Sequence, residues 1–172
     1  SLVAMAVQSL RYDSLFSIEE TRGGVFIYDG TPARLNEWTF RATMKVKSSK
    51  DEDKPKMVNM ILEGLRGEAA QVAMDLGQDV LLETGGVDKL VEAITKHVFP
   101  KAEAEAKDLY RAGHKTKGVL ARQTGESMTN FVSRRTRWWK LLKSLDSTID
   151  LSTSILGHLM LESAGLSKSE QL

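Results

Sequence analysis

The chain has 172 residues, enough for one medium domain or two small ones, and 24 Lys+Arg stand against 23 Asp+Glu, a formal net charge of +1. That balance argues against a chain whose main task is coating nucleic acid. The absence of cysteine excludes disulfides, thiolate zinc sites and a cysteine nucleophile. No apolar run approaches the ~18 residues that span a bilayer, and "SLVAMAVQSL" has no basic flank before it, so neither a membrane helix nor a signal peptide is expected.

In chain order, residues 1–20 form a short amphipathic helix through Leu2, Met5, Ala6, Leu10 and Leu15, broken by Gly23-Gly24. "VFIYDG" (Val25 to Gly30) is an extended segment closed by an Asp-Gly turn. Thr31 as N-cap and Pro32 at the first helical position open a helix with Leu35, Trp38, Ala42 and Val46 on one face. After a polar linker, "SSKDEDK", a helix carries Met57, Val58, Ile61, Leu62 and Leu65. A short helix with Ala69, Ala70, Val72, Ala73 and Leu76 comes next.

Gly85-Gly86 breaks the pattern, and Leu90, Val91, Ile94 and Val98 define a further amphipathic helix that Phe99-Pro100 stops, placing a hinge near Pro100. Residues 101–118 read as a solvated connecting helix anchored by Leu109 and Tyr110. A long helix from about Ser127 to Leu145 carries Met128, Phe131, Trp138, Leu142 and Leu145 on one face. Asp150 or Ser152 caps a helix with Leu151, Ile155, Leu159 and Met160, and Ser167 with Glu170 makes a capping box. The expected fold class is all-α.

The residue types that perform chemistry are sparse. His97, His114 and His158 are isolated, without metal-ligand spacing, and "GLRG" and "TGG" lack the lysine of a phosphate loop. The expectation is no enzyme, no metal and no cofactor. Arg134, Arg135, Arg137, Lys140 and Lys143 beside Trp138 and Trp139 suggest a nucleic-acid helix, yet Trp138 falls in phase with Phe131 and Leu142 and reads as core. The basic residues then read as its solvated side, and Trp139 as core edge or interface. A third reading is a clamp, in which a loop folds back so that Gln123 and Glu126 meet Arg134. Eight residues separate Glu126 from Arg134, too many for a direct contact along one helix.

"QTGESMTNFVSR" resembles the major homology region of retroviral and LTR-retrotransposon Gag capsid proteins, through Gln123, Gly125, Glu126, Phe131 and Arg134. The Gln–Glu spacing is one residue shorter than in the retroviral form, and the retrotransposon form, copia or gypsy type, is more similar. "FIYDGTPARLNEW" and "GHLMLESAGLSKSEQ" resemble the flanking parts of such capsids more weakly.

The resemblance implies a two-lobe helical capsid fold with a short extended segment near residues 25–30. It divides into an N-terminal arm (1–24), an N-terminal capsid domain (25–100) making ring-like contacts, and a C-terminal capsid domain (101–172) with a dimer interface. Gln123, Gly125, Glu126, Phe131 and Arg134 would form a structural network. Trp139, Leu151, Ile155, His158, Leu159 and Glu162 would supply the oligomer interface, some of them as core.

The implied function is self-assembly into a homo-oligomeric shell, an intracellular, cytoplasmic virus-like particle. It would enclose retroelement RNA, contacted mainly by a segment outside this stretch, with no membrane partner. The alternative is a domesticated Gag-derived adaptor or dimerisation domain binding a peptide across Phe26, Tyr28 and Trp38.

Overall fold

The computed structural model describes residues 18–167 and 169–170. The helix expected within residues 1–20 lies outside them up to residue 17; Glu19 and Glu20 are instead a strand. The chain is mostly helical, with one two-stranded sheet, and is all-α in class. The described residues fall into two compact units, 18–101 and 102–170.

In the first unit, β1 (Glu19–Glu20) pairs antiparallel with β2 (Phe26–Ile27), in the register Glu19 to Ile27 and Glu20 to Phe26. The extended segment continues to Tyr28, whose N–H donates to the Gly64 carbonyl (3.0 Å) and whose carbonyl accepts from the Arg66 N–H (2.8 Å). Gly64 permits this approach: a Cβ there would lie 1.7 Å from the Phe26 carbonyl oxygen. Asp29, rather than Thr31, organises the next turn. Its Oδ1 accepts from the Thr31 N–H at 2.9 Å, and Thr31 makes no side-chain capping bond. The polar side chain of Asp29 reaches the backbone two residues on, an arrangement in which Asp outcompetes Thr.

Pro32–Arg34 is a 3₁₀ turn leading into α1 (Leu35–Lys47), where Trp38, Ala42 and Val46 are buried as their spacing requires. Asp51–Asp53, inside the expected linker, is a 3₁₀ turn opening α2 (Lys54–Glu63), and α3 (Gly67–Leu76) follows. A short α4 (Gln78–Leu82) has no counterpart in the sequence reading; five residues are too few to show a period. The core of this unit gathers Tyr28, Trp38, Ile61, Leu65, Ala69, Leu81, Leu90, Ile94 and Val98.

α5 (Gly86–Gly113) corrects two expectations. It runs through Pro100 without stopping, and its latter half is more than a solvated connector. The buried stripe Leu90, Ile94, Val98, Ala102, Ala106, Leu109 keeps helical spacing on both sides of the proline. Pro100 itself is exposed, so its ring and the missing N–H fall on the solvent side. Burial along the stripe outweighs the single hydrogen bond that proline removes.

The second unit adds α6 (Met128–Leu145) and α7 (Thr153–Ser163). Ser127 caps α6 by accepting from the Asn130 N–H, and Ser152 caps α7 by accepting from the Ile155 N–H, both at 3.2 Å. The N–H of Ser167 donates to the Glu170 carboxylate at 2.9 Å, the capping-box contact. Phe131, Trp138, Leu142, Leu109 and Leu120 form the centre of this unit's core. No helix among the described residues is long and apolar enough to cross a membrane.

Candidate functional site

The loop 118–126 folds back over the start of α6, and Arg134, from the second turn of that helix, reaches into it. The Arg134 Nε donates to Glu126 Oε1 (2.6 Å) and Nη2 to Glu126 Oε2 (2.8 Å), a two-pronged charge-assisted pair. The same guanidinium donates from Nη1 to the Val119 carbonyl (2.7 Å) and from Nη2 to the Ala121 carbonyl (2.8 Å). One side chain therefore gathers a carboxylate and two loop carbonyls.

Glu126 also accepts from the Gln123 N–H at 2.9 Å, while its own N–H donates to the Gln123 carbonyl at 3.0 Å. The Gln123 side-chain amide donates to the carbonyls of Ala121 (2.7 Å) and Gly118 (3.1 Å). Gly125 sits at φ +76° with nothing near a would-be Cβ, so glycine serves the backbone conformation there and not a close approach. Phe131 is fully buried, as is Leu120 within the loop. The five motif residues are thus brought together, four in one hydrogen-bonded turn and helix and the fifth as the apolar centre.

With 8% and 12% of their side chains exposed, Arg134 and Glu126 are well screened from water. The Arg134 hydrogen bonds hold the Glu126 carboxyl below its ordinary value of 4.5, against the opposing effect of burial, with help from the Gln123 N–H. A lowered folded-state value stabilises the fold above about pH 4.5, and that contribution is lost as pH falls through the folded value. Glu126→Gln is therefore expected to be less stable than wild type at neutral pH. The difference between the two melting temperatures should shrink on acidification from about pH 5 to about pH 3. A constant difference across that range would show that the Glu126 charge does not stabilise the loop.

Two further arginines hold the surrounding elements, Arg122 within this network and Arg135 beside it. The Arg122 Nε donates to the Glu126 carbonyl (2.9 Å), and its N–H to the Ser163 carbonyl (2.9 Å), which ties the loop to the end of α7. Arg135 is only 2% exposed, which corrects its reading as a solvated basic residue. Its Nη1 donates to the Gly113 carbonyl at 2.9 Å, so a cation from α6 meets the negative end of α5. Its guanidinium also lies 4.6 Å from the Trp138 ring centroid. Burial, aided by the neighbouring Arg134 charge, lowers its value to about 10. Its phase shows this role: Arg135 is four residues after Phe131 and three before Trp138, on the core face.

The solvated basic side expected for this helix is thereby reduced. Arg134 and Arg135 are internal, and the Lys143 ammonium donates to the Ile149 carbonyl (2.7 Å) and lies 5.6 Å from the Trp139 ring. Trp139 is half-buried beside Trp138, with ring centroids 6.2 Å apart. On α7, Ile155, His158 and Glu162 are exposed and Leu151 just before it is half-buried, whereas Leu159 is core. The imidazole of His158 lies 3.1 Å from Glu162.

The peptide groove expected across Phe26, Tyr28 and Trp38 is not a groove. Tyr28 and Trp38 are 1% and 0% exposed and stack with centroids 5.0 Å apart, because both anchor the first unit's core. Phe26 is half-buried beneath the Lys45 ammonium (4.6 Å) and the Arg41 guanidinium (5.5 Å). Among the described residues, no group of three or more His, Cys, Asp and Glu is placed to hold a metal ion. Compared with protein-family models, curated proteins and solved structures, the chain matches none.

Proposed function

We propose that this chain is a Gag-like structural protein that self-associates through repeated weak contacts into a shell enclosing retroelement RNA. The observation that carries the proposal is the loop clamp: a Gln-x-Gly-Glu turn, an aromatic and an arginine joined in one internal network rather than around a reactive group. A network whose polar atoms are spent on one another fixes a shape and leaves little for chemistry.

α7 supports the self-association part. One face of this helix packs inward through Leu159 and Ser163, while Ile155 and Leu161 on the outer side are 47% and 50% exposed. These two flank His158, three residues to either side. An antiparallel two-fold pairing of α7 centred on His158 would set each Ile155 against Leu161 of the second copy, and each Ser154 against Glu162 of the second copy. The face is thus self-complementary, as a two-fold interface requires.

Two measurements test this reading. Negative-stain microscopy of the purified protein over a salt series is expected to show shells or tubes; protein that stays monomeric at high concentration would exclude it. In light scattering, Ile155→Glu is expected to abolish the two-fold contact with no change in melting temperature, since Ile155 lies outside the core. A variant that dimerises like wild type would remove α7 from the interface.

A further inference from the structure

In the second unit, the stretch from Lys107 to Lys117 carries Lys107, Arg111, Lys115 and Lys117 against one carboxylate, Asp108, although the whole chain has a net charge of only +1. Lys107 pairs with Glu103 at 2.8 Å and Arg111 only loosely with Asp108 at 3.7 Å, each pair on the exposed surface. Exposed pairs of this kind contribute little and give way to a stronger anion. Lys115 and Lys117 stand exposed, and among the described residues neither is in an ion pair.

Beside these cations, α5 and the segment ahead of α7 form an open cleft of about 480 Å³, lined by Lys107, Tyr110, Arg111, Ile149, Asp150 and Leu151. Its volume lies within the range of about 300–1,000 Å³ found for small-ligand sites. Tyr110, Ile149 and Leu151 are half-buried and make it apolar, whereas Lys107, Arg111 and Asp150 are exposed and charge its rim. His114 braces the aromatic wall, its ring centroid 4.1 Å from that of Tyr110 with a tilt of 36°. The His114 Nδ1 lies 2.8 Å from the Tyr110 carbonyl, which can only accept, so Nδ1 donates and holds the imidazole in place.

We infer that this cleft takes one base of a single-stranded RNA, with the flanking phosphates on Lys107, Arg111, Lys115 and Lys117. An unpaired base offers a flat face to stack on an aromatic side chain and a free edge for hydrogen bonds, while its backbone seeks cations. In a duplex that face is stacked and that edge paired, so a duplex cannot enter. Asp150 then selects among bases. A carboxylate only accepts, and cytosine carries an amino donor where uracil carries a carbonyl, so cytosine is favoured. An acidic peptide would meet Asp150 as a like charge. The resemblance places RNA contact mainly outside this stretch; the cleft adds a contact within it. This contact rests on the shell reading for the identity of the strand, whereas the binding itself requires no assembly.

Fluorescence anisotropy of short labelled oligo(C), titrated at low salt with the Ile155→Glu chain, tests the cleft apart from α7 pairing. Oligo(C) is expected to bind about fivefold more tightly than oligo(U) and more tightly than a duplex of equal length, with affinity falling as salt rises. Tyr110→Leu should lower the affinity about tenfold, and Asp150→Asn should remove most of the preference for cytosine. Lys115→Glu with Lys117→Glu should weaken every single strand and flatten the salt dependence. Should Tyr110→Leu melt early, the exposed lysine pair and Asp150→Asn decide. Equal binding of oligo(C), oligo(U) and duplex, or single-strand affinity that neither Tyr110→Leu nor the lysine pair lowers, would overturn the inference. So would an acidic peptide that competes as well as unlabelled oligo(C), and tighter binding of oligo(dC) would overturn the assignment to RNA. If wild type forms shells and oligo(C) does not bind, the cleft is refuted and the shell reading stands. If wild type never assembles yet oligo(C) binds as described, the shell reading is refuted and the cleft stands.

Discussion

Arg134→Ala is expected to cost on the order of 3–5 kcal/mol of stability and to abolish assembly at the same time. The magnitude follows from what is left behind. Removing the guanidinium leaves the Glu126 carboxylate, 12% exposed, without its main partner, the Val119 carbonyl without its Arg134 donor, and the Ala121 carbonyl with only the Gln123 amide. A domain of this size has about 5–15 kcal/mol in total, so the second unit would retain little margin. Arg134→Lys should rescue only weakly, because a single ammonium cannot reproduce the two-pronged carboxylate contact and reach both loop carbonyls. Thermal unfolding followed by circular dichroism measures the loss. A variant that melts like wild type, or that melts early yet still assembles, would separate the clamp from the shell and remove the central argument.

Trp138→Ala is expected to be as severe, at about 3–5 kcal/mol. The indole is 2% exposed, and its Nε1 donates to the Leu109 carbonyl at 2.8 Å. It also lies against Gly113, where an added Cβ would come within 2.0 Å of the ring. Gly113→Ala should therefore be destabilising in the opposite sense, by overpacking, at about 1–3 kcal/mol. The two changes are expected to be non-additive in the double variant, since removing the indole frees the space that the alanine methyl needs. Chemical denaturation of the four proteins measures the coupling. Additive losses would mean that Gly113 is required for some reason other than the tryptophan.

Helical phase made much of this legible. Trp38, Ala42 and Val46, and likewise Phe131, Trp138 and Leu142, sit at spacings of four and seven that leave one side of a helix no alternative to burial. Phase also contained the answer for Arg135, but charge pointed to solvent and obscured it. Pro100 shows the opposite failure. A local rule for stopping helices was read without the longer stripe from Leu90 to Leu109, which continues across it. The Glu126–Arg134 pair was legible only as a motif, because its eight-residue separation depends on the path of the loop. Tyr28 was misplaced as a surface aromatic: its parallel bridge to Leu65 depends on a distant stretch of backbone.

The clamp also bears on how the second unit acquires its structure. Its bonds from Arg134 reach back 8, 13 and 15 residues, to Glu126, Ala121 and Val119. Loops this short cost little entropy to close, and such closures take on the order of 10–100 ns. Every atom of the Arg134 contacts with Glu126, Ala121 and Val119 is therefore present once the second turn of α6 has been synthesised, before α7 exists. The clamp can form ahead of the helix that pairs with another copy, so a growing chain can fix its fold before it can recruit a neighbour.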